Sequence, residues 1–187
     1  MKSIIKTGIA CSLFAGIVLL PNLAAAGPIE VSLGFSFSQT HYSEESFTWT
    51  RKWGASLGYY LTELTEIEIA FQEVVDRNRI VGYEDTTFND KIYSANWIQS
   101  LTKTFPIQPY VKAGLGQLNR DATGTYYFGS APPSRVDSVT GIIGAGLKIY
   151  VTRNFGIRAE ATAYLTGGSI RTWKDNTSTT IGVSGYF

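Results

Sequence analysis

The sequence predicts an all-β fold, an eight-stranded antiparallel up-and-down transmembrane β-barrel. Three observations predict it: a secretory leader, eight segments in which apolar and polar residues alternate, and connections that alternate between tight and long.

The leader comes first. Lys2 and Lys6 give a basic start, Gly8 to Leu20 is an apolar run broken only by Ser12, and Ala24, Ala25 and Ala26 precede Gly27. The run is too short for a spanning helix, which needs ~20 residues. Cleavage is expected after Ala26, making residues 1–26 a signal peptide and residues 27–187 the outer-membrane barrel. Cys11 sits at the start of the apolar run, as a small hydrophobe inside the leader rather than a lipid anchor. After the leader there is no cysteine, so disulfides are excluded. The net charge of +1 gives no electrostatic support to a nucleic-acid partner. Glycine (19 residues) and the aromatics (11 Tyr, 10 Phe, 4 Trp) are abundant, a mixture that favours strands over helices.

The strands follow in order. Ile29, Val31, Leu33, Phe35 and Phe37 interleave with Glu30, Ser32, Gly34, Ser36 and Ser38. Phe47, Trp49, Trp53, Ala55, Leu57, Tyr59 and Leu61 share the apolar face of the second, with Arg51 as its one exception. Ile67, Ile69 and Phe71 alternate with Glu66, Glu68, Ala70 and Gln72. The fourth segment, Tyr93 to Phe105, is the least regular, because Gln99 and Lys103 share a face with Trp97 and Leu101. Val111, Ala113 and Leu115 mark the fifth strand, Ile143 to Ile149 the sixth, Ile157 to Ala163 the seventh, and Ile181 to Phe187 the eighth. Between them the expected connections are Thr40–Ser46, Thr62–Leu64, Asp76–Thr87, Pro106–Pro109, Asn119–Arg135, Thr152–Asn154 and Thr166–Thr177. Long loops on one side and tight turns on the other suit a barrel whose turns and both termini face the periplasm.

Alternation alone does not say which face is inside. A lipocalin-like barrel or a sandwich would bury the apolar face. The membrane reading is preferred because aromatics gather near strand ends as a girdle (Trp49, Trp53, Trp97, Phe155 and Phe187). The polar face is also rich in glycine, which suits a cramped interior.

These residues resemble the small eight-stranded outer-membrane β-barrel family that includes the OmpA membrane domain, OmpX and the opacity-type proteins. The likeness is carried by Pro109-Tyr110-Val111-Lys112-Ala113-Gly114-Leu115-Gly116, and by Gly144 to Leu147 through Asn154 to Glu160. The terminal Phe187 looks like the signal read by the outer-membrane assembly machinery, although Gly185 departs from it. The resemblance implies a bacterial outer-membrane location; members of such a family include adhesins, resistance factors and enzymes, so it implies no single activity.

The polar face carries a candidate charge network. Its acids are Glu30, Glu66, Glu68 and Glu160, and its bases are Lys52, Lys112, Lys148 and Arg158. Charges enclosed in a narrow barrel must be paired or watered. Because eight strands barely accommodate their own side chains, a salt-bridged plug is expected rather than a small-solute pore. Across the Thr152–Asn154 turn, Lys148 falls opposite Arg158, so acids must reach them from elsewhere, with Glu66 and Glu68 as candidates. On the lipid face, Arg51 and Glu73 become diagonal neighbours near the outer rim and are read as a pair that can hold lipopolysaccharide phosphate.

Catalysis has one candidate. His41 and Ser43 share a face beside Glu44 and Glu45, which resembles the His-x-Ser pair of lipid A deacylases, although those carry it much later in the chain. Lipid A palmitoyltransferases place a histidine in their first outer loop, but they need an apolar lumen. No metal-ligand cluster and no cofactor motif is visible. The expected function is therefore a non-enzymatic barrel presenting four surface loops. Its partners are outer-membrane lipid and lipopolysaccharide, the assembly machinery, and a host or cell-surface ligand; a monomer is expected. The alternatives are a lipid A-modifying hydrolase or acyltransferase using His41, or a small-solute pore.

Overall fold

The computed structural model describes residues 28–43, 45–103, 106–126, 135–166 and 177–187. The expected leader, Glu44, Phe105 and the middles of the expected Asn119–Arg135 and Thr166–Thr177 loops lie outside the described residues. Eight strands follow one another: β1 (Ile29–His41), β2 (Phe47–Tyr60), β3 (Thr65–Ile80), β4 (Glu84–Ser100), β5 (Ile107–Tyr126), β6 (Arg135–Tyr150), β7 (Phe155–Thr166) and β8 (Thr177–Tyr186). Each is antiparallel to the next, and β8 returns to β1 to close the barrel.

The faces are now assigned. Ile69, Leu115 and Val139 are 67%, 69% and 71% exposed, whereas Glu30, Glu66, Glu68 and Lys148 are each 1% exposed. Apolar side chains ring the outside and charges fill the inside, the reverse of a lipocalin or a sandwich. A continuous apolar exterior of this extent needs lipid, not water, as its solvent.

At the end that carries the termini, threonine closes two tight turns in the same way. Thr62 Oγ1 accepts from the amides of Leu64 (3.3 Å) and Thr65 (3.1 Å), and Thr152 Oγ1 accepts from Asn154 (3.3 Å). The adjoining rungs, Leu61 N–H to Thr65 O (2.9 Å) and Val151 N–H to Phe155 O (3.0 Å), start each hairpin. Lys103, in the β4–β5 connection, reaches Glu63 in the β2–β3 turn, and this ion pair holds the exposed Glu63 carboxyl below its ordinary range.

The opposite end corrects the expected loops. Asp76–Thr87 is mostly strand: β3 runs to Ile80 and β4 starts at Glu84, leaving Val81–Tyr83 as a turn with Gly82 at φ +80°. Asn119–Arg135 is paired through Asp121↔Arg135, and β5 continues to Tyr126. Pro106–Pro109 is also shortened, because β5 begins at Ile107; Pro109 pairs with Leu147, and its carbonyl accepts from Leu101 N–H at 2.8 Å. The fourth strand ends at Ser100. The reason is common to the first two corrections: where strands project beyond the lipid, both faces turn polar and hydrophobicity loses its period of two. Polar composition marks solvent there, not the end of a strand.

One ladder is shorter than its strands. β1 is joined to β8 from Ile29, which exchanges two backbone hydrogen bonds with Phe187 (3.1 and 2.9 Å), as far as Phe35↔Ile181, although β1 stays joined to β2 up to His41↔Phe47.

Candidate functional site

Lys148 stands directly opposite Arg158 on β6 and β7. Two cations side by side repel unless acids reach them, and the barrel supplies four acids, from β1, β3 and β7 itself. Lys148 Nζ lies 2.6 Å from Glu30 on β1 and 2.6 Å from Glu66 on β3, and it donates to the Tyr60 hydroxyl at 2.7 Å. Tyr60 in turn donates to Glu30 at 2.6 Å. Arg158 grips Glu68 with Nη1 and Glu160 with Nη2, both at 2.6 Å, and its Nε donates to Tyr110 Oη at 2.7 Å. Lys112 on β5 bridges the same two acids at 2.9 and 3.0 Å. A 3.8 Å approach of Arg158 to Glu30 links the two halves.

Neutral donors add to three of the four carboxylates, while Glu66 Oε1 is buried with no hydrogen-bond partner among the described residues. Ser56 and Asn96 donate to Glu68 at 3.0 and 3.1 Å, Tyr110 and Thr162 to Glu160 at 2.7 and 2.6 Å, and Ser32 to Glu30 at 3.0 Å. Burying an ion pair is costly unless its remaining lone pairs and protons are satisfied. Here seven of the eight charges named from the sequence enter one network of ion pairs. Lys52 is the exception. It is buried, but its ammonium donates to the Ser178 hydroxyl, lies 5.3 Å from the Tyr164 ring centre, and makes no carboxylate pair among the described residues.

Glycines on the facing strands give the network its room. A Cβ at Gly146 would fall onto the Tyr110 phenol and close on Ala159 O (2.6 Å). Gly146→Val is therefore expected to displace Tyr110 and lose stability by about 1–3 kcal/mol, the usual cost of overpacking. Urea unfolding in lipid vesicles measures it, and an unchanged midpoint would contradict the packing.

Above the network lies a second set that sequence reasoning missed. Arg120 on β5 clasps Asp90 on β4 through Nε (2.7 Å) and Nη2 (2.6 Å), and Asp76 on β3 accepts from Thr50. Asp76 and Arg120 fall in the expected loops, where polar composition hides the strand; the inward alternation carried past Gln72 reaches Asp76. A cavity of about 410 Å³ occupies this level, lined by Lys52, Asp76, Asp90, Arg120 and several serines and threonines.

The exterior differs from the expected rim pair. The register is as read, Trp53↔Glu73 and Arg51↔Val75. Glu73, however, accepts from the Trp53 indole N–H at 2.6 Å, and no Arg51–Glu73 ion pair forms among the described residues. The directly opposed donor reaches the carboxylate and the diagonal one does not. Of the girdle residues, Trp53, Trp97, Phe155 and Phe187 are 40–50% exposed, and Trp49 is half-buried. Trp97, Phe155 and Phe187 sit toward the terminal end, and Trp49 and Trp53 toward the other.

His41 ends β1 with its ring 6.2 Å from that of Phe47. Ser43 Oγ accepts from the Ser46 amide at 3.1 Å, and no hydrogen bond joins it to His41 among the described residues.

The geometry is that of a bacterial outer-membrane barrel, and comparison with known proteins agrees. The OprF membrane-domain family matches residues 7–186. The chain belongs to that family. The N-terminal β-barrel domain of Pseudomonas aeruginosa OprF is similar at 23% identity and TM-score 0.53, over 84% of this chain and 97% of that one. Neisserial surface protein A is similar at 16% identity and TM-score 0.54, over 85% and 96%. The Yersinia pestis attachment invasion locus protein, Ail, follows at 15% identity and TM-score 0.50, over 84% and 95%. At these identities the OprF, Neisserial and Yersinia structures speak for the shared fold. No curated protein matches the sequence.

Proposed function

We propose that this OprF-family barrel is a non-enzymatic outer-membrane protein that does not conduct, and that its work is done at its rim and loops. The observation that carries the reading is the neutralised network: Lys148, Arg158 and Lys112 are each shared between two inward carboxylates, so at this level the lumen offers passing ions neither a free charge nor an open file. The tight turns and the termini face the periplasm, and the opposite end, with Val81–Tyr83 at one of its tips, faces outward. Cleavage of the leader after Ala26 delivers the barrel, and β8, with Phe187 beside it on the apolar face, is what the assembly machinery reads.

At the outer rim, Arg51, Lys91, Arg77 and Arg79 project outward, and Arg51 makes no ion pair among the described residues. Such guanidinium and ammonium groups suit lipopolysaccharide phosphates. The Yersinia pestis protein Ail has been crystallised with a heparin analogue, sucrose octasulfate; an anionic surface ligand at this chain's rim or loops fits the same reading. The barrel works as a monomer and binds no nucleic acid.

Orientation is tested by labelling, since the chain after the leader lacks cysteine. Val81→Cys should react with a membrane-impermeant maleimide on intact cells, and Arg153→Cys only after the cells are opened. The opposite result would invert the topology. Function is tested in a deletion strain. Unchanged lipid A mass with raised detergent or serum sensitivity, or with lower surface adhesion, supports the proposal. A changed lipid A mass that His41→Ala reproduces would replace it with an enzyme.

A further inference from the structure

The short β1–β8 ladder leaves two strand edges facing each other. Above Phe35↔Ile181 no rung joins β1 to β8 among the described residues, although β1 reaches His41 on β2 and β8 pairs with β7 as far as Ala163↔Thr177. Residues 36–39 and 177–180 therefore border a slit in the barrel wall. Phe35 and Phe37, 46% and 44% exposed, place the foot of the slit at the level of the apolar belt. Unpaired backbone groups are costly in hydrocarbon, so this gap calls for a polar occupant.

Behind the slit is the cavity of about 410 Å³, and both edges line it: Ser36 and Ser38 from β1, Thr177, Ser178 and Thr179 from β8. Four charged groups line its interior. Arg120 and Asp90 satisfy each other as a bidentate pair. Lys52 has only the Ser178 hydroxyl and the Tyr164 ring, and Asp76 has the Thr50 hydroxyl but makes no ion pair among the described residues. One cation and one anion are left over, one register step apart, since Lys52 pairs with Val74 and Thr50 with Asp76.

We propose that this slit is a lateral port for the zwitterionic, phosphate-bearing headgroup of an outer-leaflet lipid. The phosphate is taken by Lys52, the Ser178 hydroxyl and the free edge amides, which together supply donors for its oxygens. The ammonium is taken by Asp76. The acyl chains stay outside, against Phe35 and Phe37, because the cavity is too polar for them. The assignment of the leaflet rests on the orientation proposed above, but binding in micelles does not, so the maleimide labelling and the binding experiment fail separately.

The test uses the refolded barrel in detergent micelles, titrated with dihexanoylphosphatidylethanolamine and followed by phosphorus NMR. Saturable binding is expected, weakened about tenfold or more by Lys52→Met and retained by Lys52→Arg. Ser38→Trp, at an exposed position on the slit edge, should block the port to a similar degree while leaving the barrel heat-modifiable. Dihexanoylphosphatidylglycerol, which lacks the ammonium, should bind more weakly than the ethanolamine lipid; equal binding would overturn the zwitterion assignment. If inorganic phosphate binds as well as the lipid, and Ser38→Trp leaves it unaffected, the anion enters from the open end and the lateral port is wrong. Lipid association that neither Lys52→Met nor Ser38→Trp weakens is adsorption to the micelle and also overturns the proposal.

Discussion

Glu68→Gln should lower the unfolding free energy by roughly 3–5 kcal/mol, the range found when one partner of a buried ion network is removed. Glu68 is 1% exposed and is the acid that Arg158 and Lys112 both hold, at 2.6 and 2.9 Å. The amide keeps the shape but has a single acceptor oxygen for the two bonds that Ser56 and Asn96 donate, and it leaves two cations with Glu160 and the 3.8 Å approach of Arg158 to Glu30. Lys148→Met should cost a similar amount, because Glu30 and Glu66 would then face each other without the ammonium between them. Replacing all three of Glu30, Glu66 and Lys148 by apolar residues of similar volume should cost much less than Lys148→Met alone, since no unpaired charge is left behind. Urea titration in lipid vesicles, with the heat-modified gel shift as readout, measures each. Equal losses for the single and triple variants would mean that packing, rather than charge pairing, holds this level of the barrel together.

The purified barrel should be electrically silent in planar bilayers. Its charges are not lined along a wall; Lys148, Arg158 and their acids reach inward from β1, β3, β6 and β7 and join each other. Tyr110, 1% exposed, is wedged between Arg158 and Glu160 and occupies the space left by Gly146. Steady, voltage-independent channels that recur across preparations would refute the closed lumen. Glu68→Gln should lose stability well before it conducts, because Arg158 and Tyr110 still fill the cross-section. A conducting Glu68→Gln barrel with wild-type stability would show that the carboxylate serves as a gate rather than a strut.

Sequence and structure agree where one face met lipid. Along Val31 to Phe37 and Leu57 to Ile69, apolar and polar residues alternate because the two faces meet different solvents, and both strand and side are legible. Beyond the belt that contrast vanishes. Arg77, Asn78 and Arg79 alternate outward and inward in β3 like their predecessors, but all are polar, so the period is invisible and the strand reads as a loop. The charges of the interior were legible as a set, because each lies on the polar face of its strand. Their partners were less so. Which acid meets which base across the lumen depends on strand tilt and stagger, and this is why Lys52 could be placed inside without its lack of a carboxylate being foreseen. Glu73 shows the same limit on the outside: the register was readable, but the choice between the opposed Trp53 and the diagonal Arg51 is settled by side-chain reach.

The brevity of the β1–β8 ladder has a kinetic consequence. Every other rung joins strands that are neighbours along the chain and can zip as a hairpin, whereas this ladder joins the first strand to the last. Its formation closes a loop of nearly the whole barrel, the most entropically demanding step of assembly. With rungs from Ile29 and Phe187 to Phe35↔Ile181 to hold it, closure should come last in folding and be the first to reverse. The amides of Val183 and its neighbours should then exchange with solvent deuterium sooner than those at the centre of β4 and β5.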